Sequence, residues 1–252
     1  MAGLAIITGA TGGIGNQFVK SVCRFDDIDE IWAVGRNKEK LESLKNQYPK
    51  ITAVEADFSK DGVSVIAELI KKKNSDIRLL INNAGIAYMG QFEKMSVSDV
   101  ERFCKINCSA PSELMSIVLP NMKEGAKIIN VSSASSFQPN PYLSMYSASK
   151  VYLKNLSRAL NVELKSRGIS VTCVCPGWVD TEMLPRMQNG KKVKYAGMLS
   201  AESVVRKALK DSARGKEMSV PGFFAKYLRF YSKIMPAKIV MKQWLMIMKK
   251  YL

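Results

Sequence analysis

Leu4-Ala5-Ile6-Ile7-Thr8-Gly9-Ala10-Thr11-Gly12-Gly13-Ile14-Gly15 is the stretch on which the fold turns. Four apolar residues suited to a buried strand run into a glycine-rich turn, and a helical pattern over 13–25 leaves it. Glycines at such a place let the backbone turn tightly and approach a pyrophosphate, whose charge the following helix N-terminus favours. A tight turn that binds nothing is the bland alternative, and the strand before and helix behind argue against it. The alternation then continues. Strand patterns fall at 4–8, 30–35, 51–55, 77–82, 127–132, 169–175 and 216–220. Helical patterns fall at 13–25, 37–47, 60–73, 97–119, 145–167 and 200–213. This order predicts an α/β chain built on one doubly wound parallel sheet with helices on both faces.

The composition agrees with such a core and removes several chemistries. Of 252 residues 47% are apolar, and no repeat or low-complexity tract interrupts the pattern. The first strand begins at Leu4 with no basic, apolar leader before it, so a cytoplasmic location is expected. There is no histidine, which excludes Ser–His and Cys–His nucleophilic pairs. Acid/base work falls to Tyr, Lys or carboxylates. Cys23, Cys104, Cys108, Cys173 and Cys175 lack both His partners and a CxxC pair, so no metal site is expected. They read as buried, reduced thiols serving as small hydrophobes.

A second stretch supplies the chemistry: Val131-Ser132-Ser133-Ala134-Ser135-Ser136-Phe137-Gln138-Pro139-Asn140-Pro141-Tyr142-Leu143-Ser144-Met145-Tyr146-Ser147-Ala148-Ser149-Lys150. A strand leads into it and a long helix leaves it, placing Ser133 at a strand end. Tyr146 and Lys150, four apart, share a helix face. An ammonium beside a phenol favours the phenolate and moves a group of intrinsic pKa about 10 towards working pH. Proton transfer at neutral pH requires such a shift. At the end of the second strand, where a dinucleotide fold places an acid for the ribose hydroxyls, stand Gly35 and then Arg36. A guanidinium there receives a ribose phosphate, which predicts NADP(H) over NAD(H). A solvated surface Arg is the alternative.

With these residues in hand, the chain resembles a short-chain dehydrogenase/reductase of the shorter, single-domain type, from Gly3 to about Val220. Thr8–Gly15 is similar to the family's TGxxxGxG turn through Gly9, Gly13 and Gly15, although Gly12 also fits the TGxxGxxG of the longer branch. Asn82-Asn83-Ala84-Gly85 resembles the NNAG that closes the fourth strand, and Pro176–Thr181 resembles the PGxxxT segment; these and the chain length favour the shorter enzymes. The resemblance implies a Rossmann-like sheet and hydride transfer between a nicotinamide and a carbonyl or alcohol carbon. It implies Tyr146 as general acid/base and Lys150 as the group that lowers the Tyr146 pKa and meets the nicotinamide ribose. Ser133 would bond the substrate oxygen, and Asn107 would hold a water in a proton relay. The family spacing selects Ser133 over Ser132 and Ser135. NADP(H) would lie against Gly9, Thr11, Gly13, Ile14, Gly15, Arg36, Asp57, Asn83, Ala84, Gly85, Tyr146, Lys150, Pro176, Gly177, Val179 and Thr181. A dimer or tetramer is implied as well.

Residues 182–199 are expected to form a substrate loop, its many Met and Lys residues and Gly190 and Gly197 suggesting a mobile lid. Trp178, Met145, Met187 and Gln138–Pro141 are the expected pocket walls, suited to an apolar substrate such as a steroid, a lipid or a long aliphatic carbonyl compound. The organisation is thus 1–221 for cofactor and catalysis and 222–252 as a basic amphipathic extension. The net charge is +16, and residues 218–252 carry seven basic side chains and no acidic one. Phe223, Phe224, Tyr227, Leu228, Tyr231, Ile234 and Met235 form one helical face, and a second amphipathic pattern follows Pro236. Two outcomes stay open: peripheral contact with an anionic membrane, or packing on the chain itself or a partner subunit with the Lys heads in water. Nucleic acid is not expected, since no binding module accompanies the charge. Two rivals to an enzyme are a non-catalytic nucleotide-binding sensor of the same fold and a membrane-associated scaffold.

Overall fold

The structure, a computed structural model, describes residues 3–73, 75–184, 187–188, 191–193 and 195–248, with backbone alone for 187–188 and 191–192. Seven parallel strands form the sheet: β1 (Gly3–Thr8), β2 (Glu30–Gly35), β3 (Ile51–Glu55), β4 (Asp76–Asn82), β5 (Lys127–Val131), β6 (Ser170–Val174) and β7 (Met218–Ser219). Their spatial order is β3-β2-β1-β4-β5-β6-β7. This Rossmann-like order reverses beside β1, so the crevice at the carboxyl ends of β1 and β4 is where a ligand is received. All six residues of β1 are buried, as a central strand covered on both faces requires.

Side chains of a strand alternate between faces, and two cores result. Leu4, Ile6, Trp32, Leu80, Ile128 and Val171 pack with Ile66, Leu114 and Val118 from α3 (Gly62–Lys73) and α5 (Ala110–Val118). Ala5, Ile7, Ile31, Ile81 and Ile129 pack with Phe18, Leu41 and Val204 from α1 (Gly13–Val22), α2 (Lys38–Gln47) and α7 (Ala201–Ser212). Phe18 is fully buried, so truncating it to Ala costs about 3–5 kcal/mol.

Two expectations need correction. The pattern over 97–119 is broken: α4 (Val97–Cys104) is followed by a π-helical turn, Lys105–Ser109, before α5. Pro111 has no N–H to offer the carbonyl of Asn107 four residues back, and the helix widens there. The expected substrate loop, 182–199, contains short paired strands among its described residues. Leu199–Ser200 pairs in parallel with Val179–Asp180, and Met187–Gln188 pairs antiparallel with Lys191–Lys192; the Met187 side chain and Gly190 lie outside the described residues. Cys173 and Cys175 are buried, but Cys104 is exposed and Cys23 and Cys108 are half-buried, because those three stand on or beside surface helices.

After the helix α6 (Ser144–Glu163), the chain ends in α8 (Phe223–Ile234) and α9 (Ala237–Met248), separated at Pro236 as the pattern predicts. Among the described residues no helix is long and apolar enough to cross a membrane.

Candidate active site

At the end of β1 the turn is held by contacts that only glycine permits. A Cβ on Gly15 would lie 2.0 Å from the Gly9 carbonyl oxygen, and one on Gly13 would lie 2.6 Å from Thr181 Cγ2. Gly9 itself has φ +63°, a left-handed conformation. The turn is tied to the end of β4 by Thr8, a residue the sequence reading passed over. Thr8 Oγ1 accepts from the N–H groups of Asn83 (3.0 Å) and Ala84 (3.1 Å), and Asn83 Nδ2 donates to the carbonyls of Thr8 (3.2 Å) and Gly9 (3.1 Å). Its sequence signal was its place as the first residue of the TGxxxGxG match, which carried no role for the hydroxyl.

Arg36 leaves the end of β2 exposed to solvent, beside Asn37, whose Oδ1 caps α2 by accepting from the Lys40 N–H at 2.8 Å. Thr11 lies against Gly35, with Oγ1 3.5 Å from where a Cβ would stand. Partial burial pushes the Asp57 carboxyl up, but hydrogen bonds from Ser59 and the charges of Arg36 and Lys60 outweigh it and hold the group below its ordinary value. Asp57 Oδ1 accepts from both the Ser59 N–H (2.9 Å) and its hydroxyl (2.7 Å). Arg36, Thr11 and Asp57 thus gather at the carboxyl end of β2.

Ser133, Tyr146 and Lys150 converge at the carboxyl end of β5, three strands along the sheet. Ser133 follows β5 and caps a short 3-10 turn (Ala134–Phe137), its Oγ accepting from the Ser135 N–H at 3.1 Å. Ser132 turns away, donating to the Lys150 carbonyl at 2.8 Å. Of these serines, Ser133 is the one whose hydroxyl acts on the Tyr146 phenol. Lys150 is buried; its Nζ donates to the Val131 carbonyl at 2.9 Å and lies 5.5 Å from the centre of the Tyr146 ring.

The electrostatics differ from the expectation. Burial pushes the Tyr146 phenol up, with the Ser133 hydrogen bond pulling the other way; the expected lowering by Lys150 does not prevail. Burial acts on Lys150 too, taking it from 10.5 down to about 8, and the nearby thiols Cys173, Cys108 and Cys175 only partly oppose it. Desolvation penalises the charged form of each group and dominates both shifts.

Asn107 sits in the π-helical turn, and its amide is committed. Nδ2 donates to the Ile86 carbonyl (2.9 Å) and Ser149 Oγ (3.2 Å), while Oδ1 accepts from the Ile86 N–H (2.9 Å). The side chain therefore clamps the loop after β4 against α6, and a Cβ on Gly85 would lie 3.5 Å from both Asn107 Oδ1 and Lys150 Nζ.

These groups open into a cavity of 270 Å³. Ile14, Asn83, Gly85, Pro176, Gly177, Val179 and Thr181 line its cofactor side, and Ser133, Tyr146 and Lys150 its floor. Trp178, Gln138 and Asn140 are on its wall as expected, but Met145 is not. One residue from Tyr146, it is turned about 100° round the helix, and Leu143 and Met183 hold the wall instead. The roof was missed: Leu228 from α8 and Trp244 from α9 close the cavity. The Trp244 ring stacks on Trp178 with centres 6.5 Å apart, and its Nε1 donates to the Pro141 carbonyl at 2.9 Å. The apolar face read in 223–235 is accordingly divided, with Leu228 and Ala225 packing on the short turn after β5 while Phe223, Tyr227 and Ile234 face out. The signal in the sequence was a Trp in an amphipathic helix, which says that the residue is covered but not by what.

The family model for short chain dehydrogenases matches residues 3–192. The chain belongs to the short-chain dehydrogenase family. This short-chain dehydrogenase is 33% identical over 235 residues to hydroxysteroid dehydrogenase-like protein 1 of Gallus gallus, covering 90% of this chain and 70% of that protein. It is 34% identical over 192 residues to the very-long-chain 3-oxoacyl-CoA reductase of Anas platyrhynchos, covering 71% of this chain and 60% of that one. The Homo sapiens relative, also 34% identical, over 188 residues, is called inactive hydroxysteroid dehydrogenase-like protein 1; 71% of this chain matches 56% of its length. The chain therefore spans less than two-thirds of the duck and human relatives. Among solved structures, a short-chain dehydrogenase from Sphingobium yanoikuyae in complex with NADPH superposes with TM-score 0.76 and 28% identity, covering 86% of this chain and 87% of that one.

Proposed function

We propose that this short-chain dehydrogenase interconverts a ketone or aldehyde and the corresponding alcohol on a hydrophobic molecule, using NADP(H). The observation that carries the reading is the convergence of Ser133, Tyr146 and Lys150 on the floor of an otherwise largely apolar cavity, with the Lys150 Nζ 5.5 Å from the centre of the Tyr146 ring. The cofactor fits the residues present: Gly9, Gly13 and Gly15 of the turn have no free room for a Cβ, and Asn83 and Ala84 are pinned against it. Gly9, Thr11, Gly13, Ile14 and Gly15 would hold the pyrophosphate side, Arg36 and Asp57 the adenosine side, and Ala84, Gly85, Pro176, Gly177, Val179 and Thr181 the nicotinamide side. Arg36, at the strand end with no carboxylate in the usual ribose-binding place, favours the phosphorylated ribose. The NADPH complex of the Sphingobium relative supports the same choice.

When bound, the nicotinamide supplies hydride to the carbonyl carbon, or accepts it in the reverse direction. Tyr146 donates its phenolic proton to the carbonyl oxygen, and burial keeps that proton in place across neutral pH until the oxygen becomes basic. Ser133 donates a hydrogen bond to the same oxygen and stabilises the charge that develops there. Lys150, buried beside the ring, offsets the charge left on Tyr146. Asn107 positions the loop after β4 rather than touching substrate. Leu143, Trp178, Leu228 and Trp244 exclude water and supply apolar contact, which agrees with relatives named for hydroxysteroids and very-long-chain 3-oxoacyl-CoA. A dimer or tetramer belongs to the reading on family grounds.

The inactive label of the human relative favours a second reading, a chain that binds the cofactor without turnover. NADPH oxidation over a panel of hydrophobic ketones, aldehydes and oxosteroids separates the two. Turnover with NADPH in clear preference to NADH is expected. Tight NADPH binding with no turnover of any compound would favour the second reading.

A further inference from the structure

The outer side of the C-terminal helices is not explained by the pocket they cover. On α8, Phe223, Tyr227, Phe230 and Ile234 recur at i, i+4, i+7 and i+11, one stripe of an α-helix. Phe223 is 85% exposed, Phe230 66% and Ile234 62%. Lys226 and Lys233 stand exposed along one edge of this stripe. α9 continues the surface with exposed Ile239, Met246 and Ile247 beside Lys238 and Lys242. A run of large apolar side chains left in water marks an interaction surface.

Charge decides the kind of partner. From residue 218 onward there is no Asp or Glu. In a two-fold contact the stripe would meet its own copy, setting lysines against lysines without a carboxylate on either side. Each helix has 12 residues and is about 18 Å long, too short to span a bilayer but suited to lying in its interface.

We propose that the outer face of α8 and α9 seats this protein on an anionic lipid surface, with Phe223, Tyr227, Phe230 and Ile234 entering the acyl boundary and Lys226, Lys233, Lys238 and Lys242 meeting lipid phosphates. The inner sides of the same helices carry Leu228 and Trp244 into the cavity, so docking turns the cavity roof towards the lipid. The surface stands independently of what the cavity binds.

Deleting residues 222–252 would also unroof the cavity, so the test uses the full chain with surface substitutions. Co-sedimentation is measured with vesicles of phosphatidylcholine alone and with phosphatidylserine added, for the native chain, Phe223→Ser/Phe230→Ser and Lys226→Gln/Lys233→Gln. Thermal midpoint and mass in solution are measured in parallel. Native chain is expected to pellet with the anionic vesicles and about tenfold less with neutral ones, and each double variant to lose about tenfold on the anionic vesicles. Both variants should keep the native midpoint and mass. Absence of native binding, equal binding to both vesicle types, or a native dimer that Phe223→Ser/Phe230→Ser splits would overturn the proposal, the last by showing that a second copy covers the stripe.

Discussion

The floor and the roof line the same cavity, yet they are held in different ways. Beneath, Lys150 is pinned to the Val131 carbonyl, Ser132 to the Lys150 carbonyl, and Asn107 to both sides of Ile86, all in buried or half-buried bonds between sheet and helix. Above, Leu228 and Trp244 arrive on two short helices, seated by apolar packing, one indole N–H and a ring stack. A floor of this kind fixes polar atoms to a small tolerance, as proton transfer requires. The roof fixes shape, which apolar packing can do while tolerating change. Under the proposed function, the difference would put chemistry on the floor and substrate choice on the roof.

The sharpest way to break that division is at the floor. Ser133→Ala is expected to lower kcat by about 10²-fold with little change in NADPH affinity, since it removes a donor to the developing oxyanion; steady-state kinetics beside cofactor titration would show it. Lys150 gives a test in stability rather than rate. Its folded pKa is about 8 against 10.5 when unfolded, so between those values the unfolded chain binds more protons. Burial therefore costs stability below pH 8, and the cost is relieved as pH rises to 10.5, by about 3 kcal/mol at most. Urea unfolding across that window should show the rise in the native chain, beneath whatever the other groups contribute, and its loss in Lys150→Met. A native profile indistinguishable from the variant's would mean the ammonium is not desolvated.

Arg36→Ala should weaken NADPH by about tenfold and leave NADH unchanged, the loss expected of one charge-assisted hydrogen bond. Equal effects on both cofactors would remove the NADP preference. At the roof the effects should be smallest and substrate-dependent. Trp244→Ala is expected to raise KM severalfold for bulky ketones while kcat for small ones stays near native. A kcat loss with every substrate would erase the distinction between roof and floor.

What could be read from the sequence follows the same line. The sheet was legible because its strands are continuous apolar runs punctuated by helices, and the turn at Gly9–Gly15 because close approach leaves glycine no substitute. Tyr146 and Lys150 were legible as a pair because helix pitch puts residues four apart on one face, and Ser133 was picked from its neighbours by the family spacing alone. The direction of the Tyr146 shift was not, since it depends on how deeply the phenol and ammonium are buried, and spacing carries no burial. Asn107 was read as a relay residue, whereas the partners of its amide, Ile86 in the loop after β4 and Ser149, could not be read, because a π-helical turn that an amphipathic pattern hides brings them together. Trp244 was hardest: amphipathicity says that a face is covered, and only the tertiary structure says that it covers the cavity.

The central claim is that Tyr146 is the proton donor on a floor built for that purpose, and one paired measurement tests it directly. NADPH affinity and single-turnover reduction of a hydrophobic ketone are compared in the native chain and Tyr146→Phe. The account predicts unchanged affinity and a rate lowered by about 10²- to 10⁴-fold. A variant that reduces the ketone at the native rate would contradict it and move the chemistry away from Tyr146.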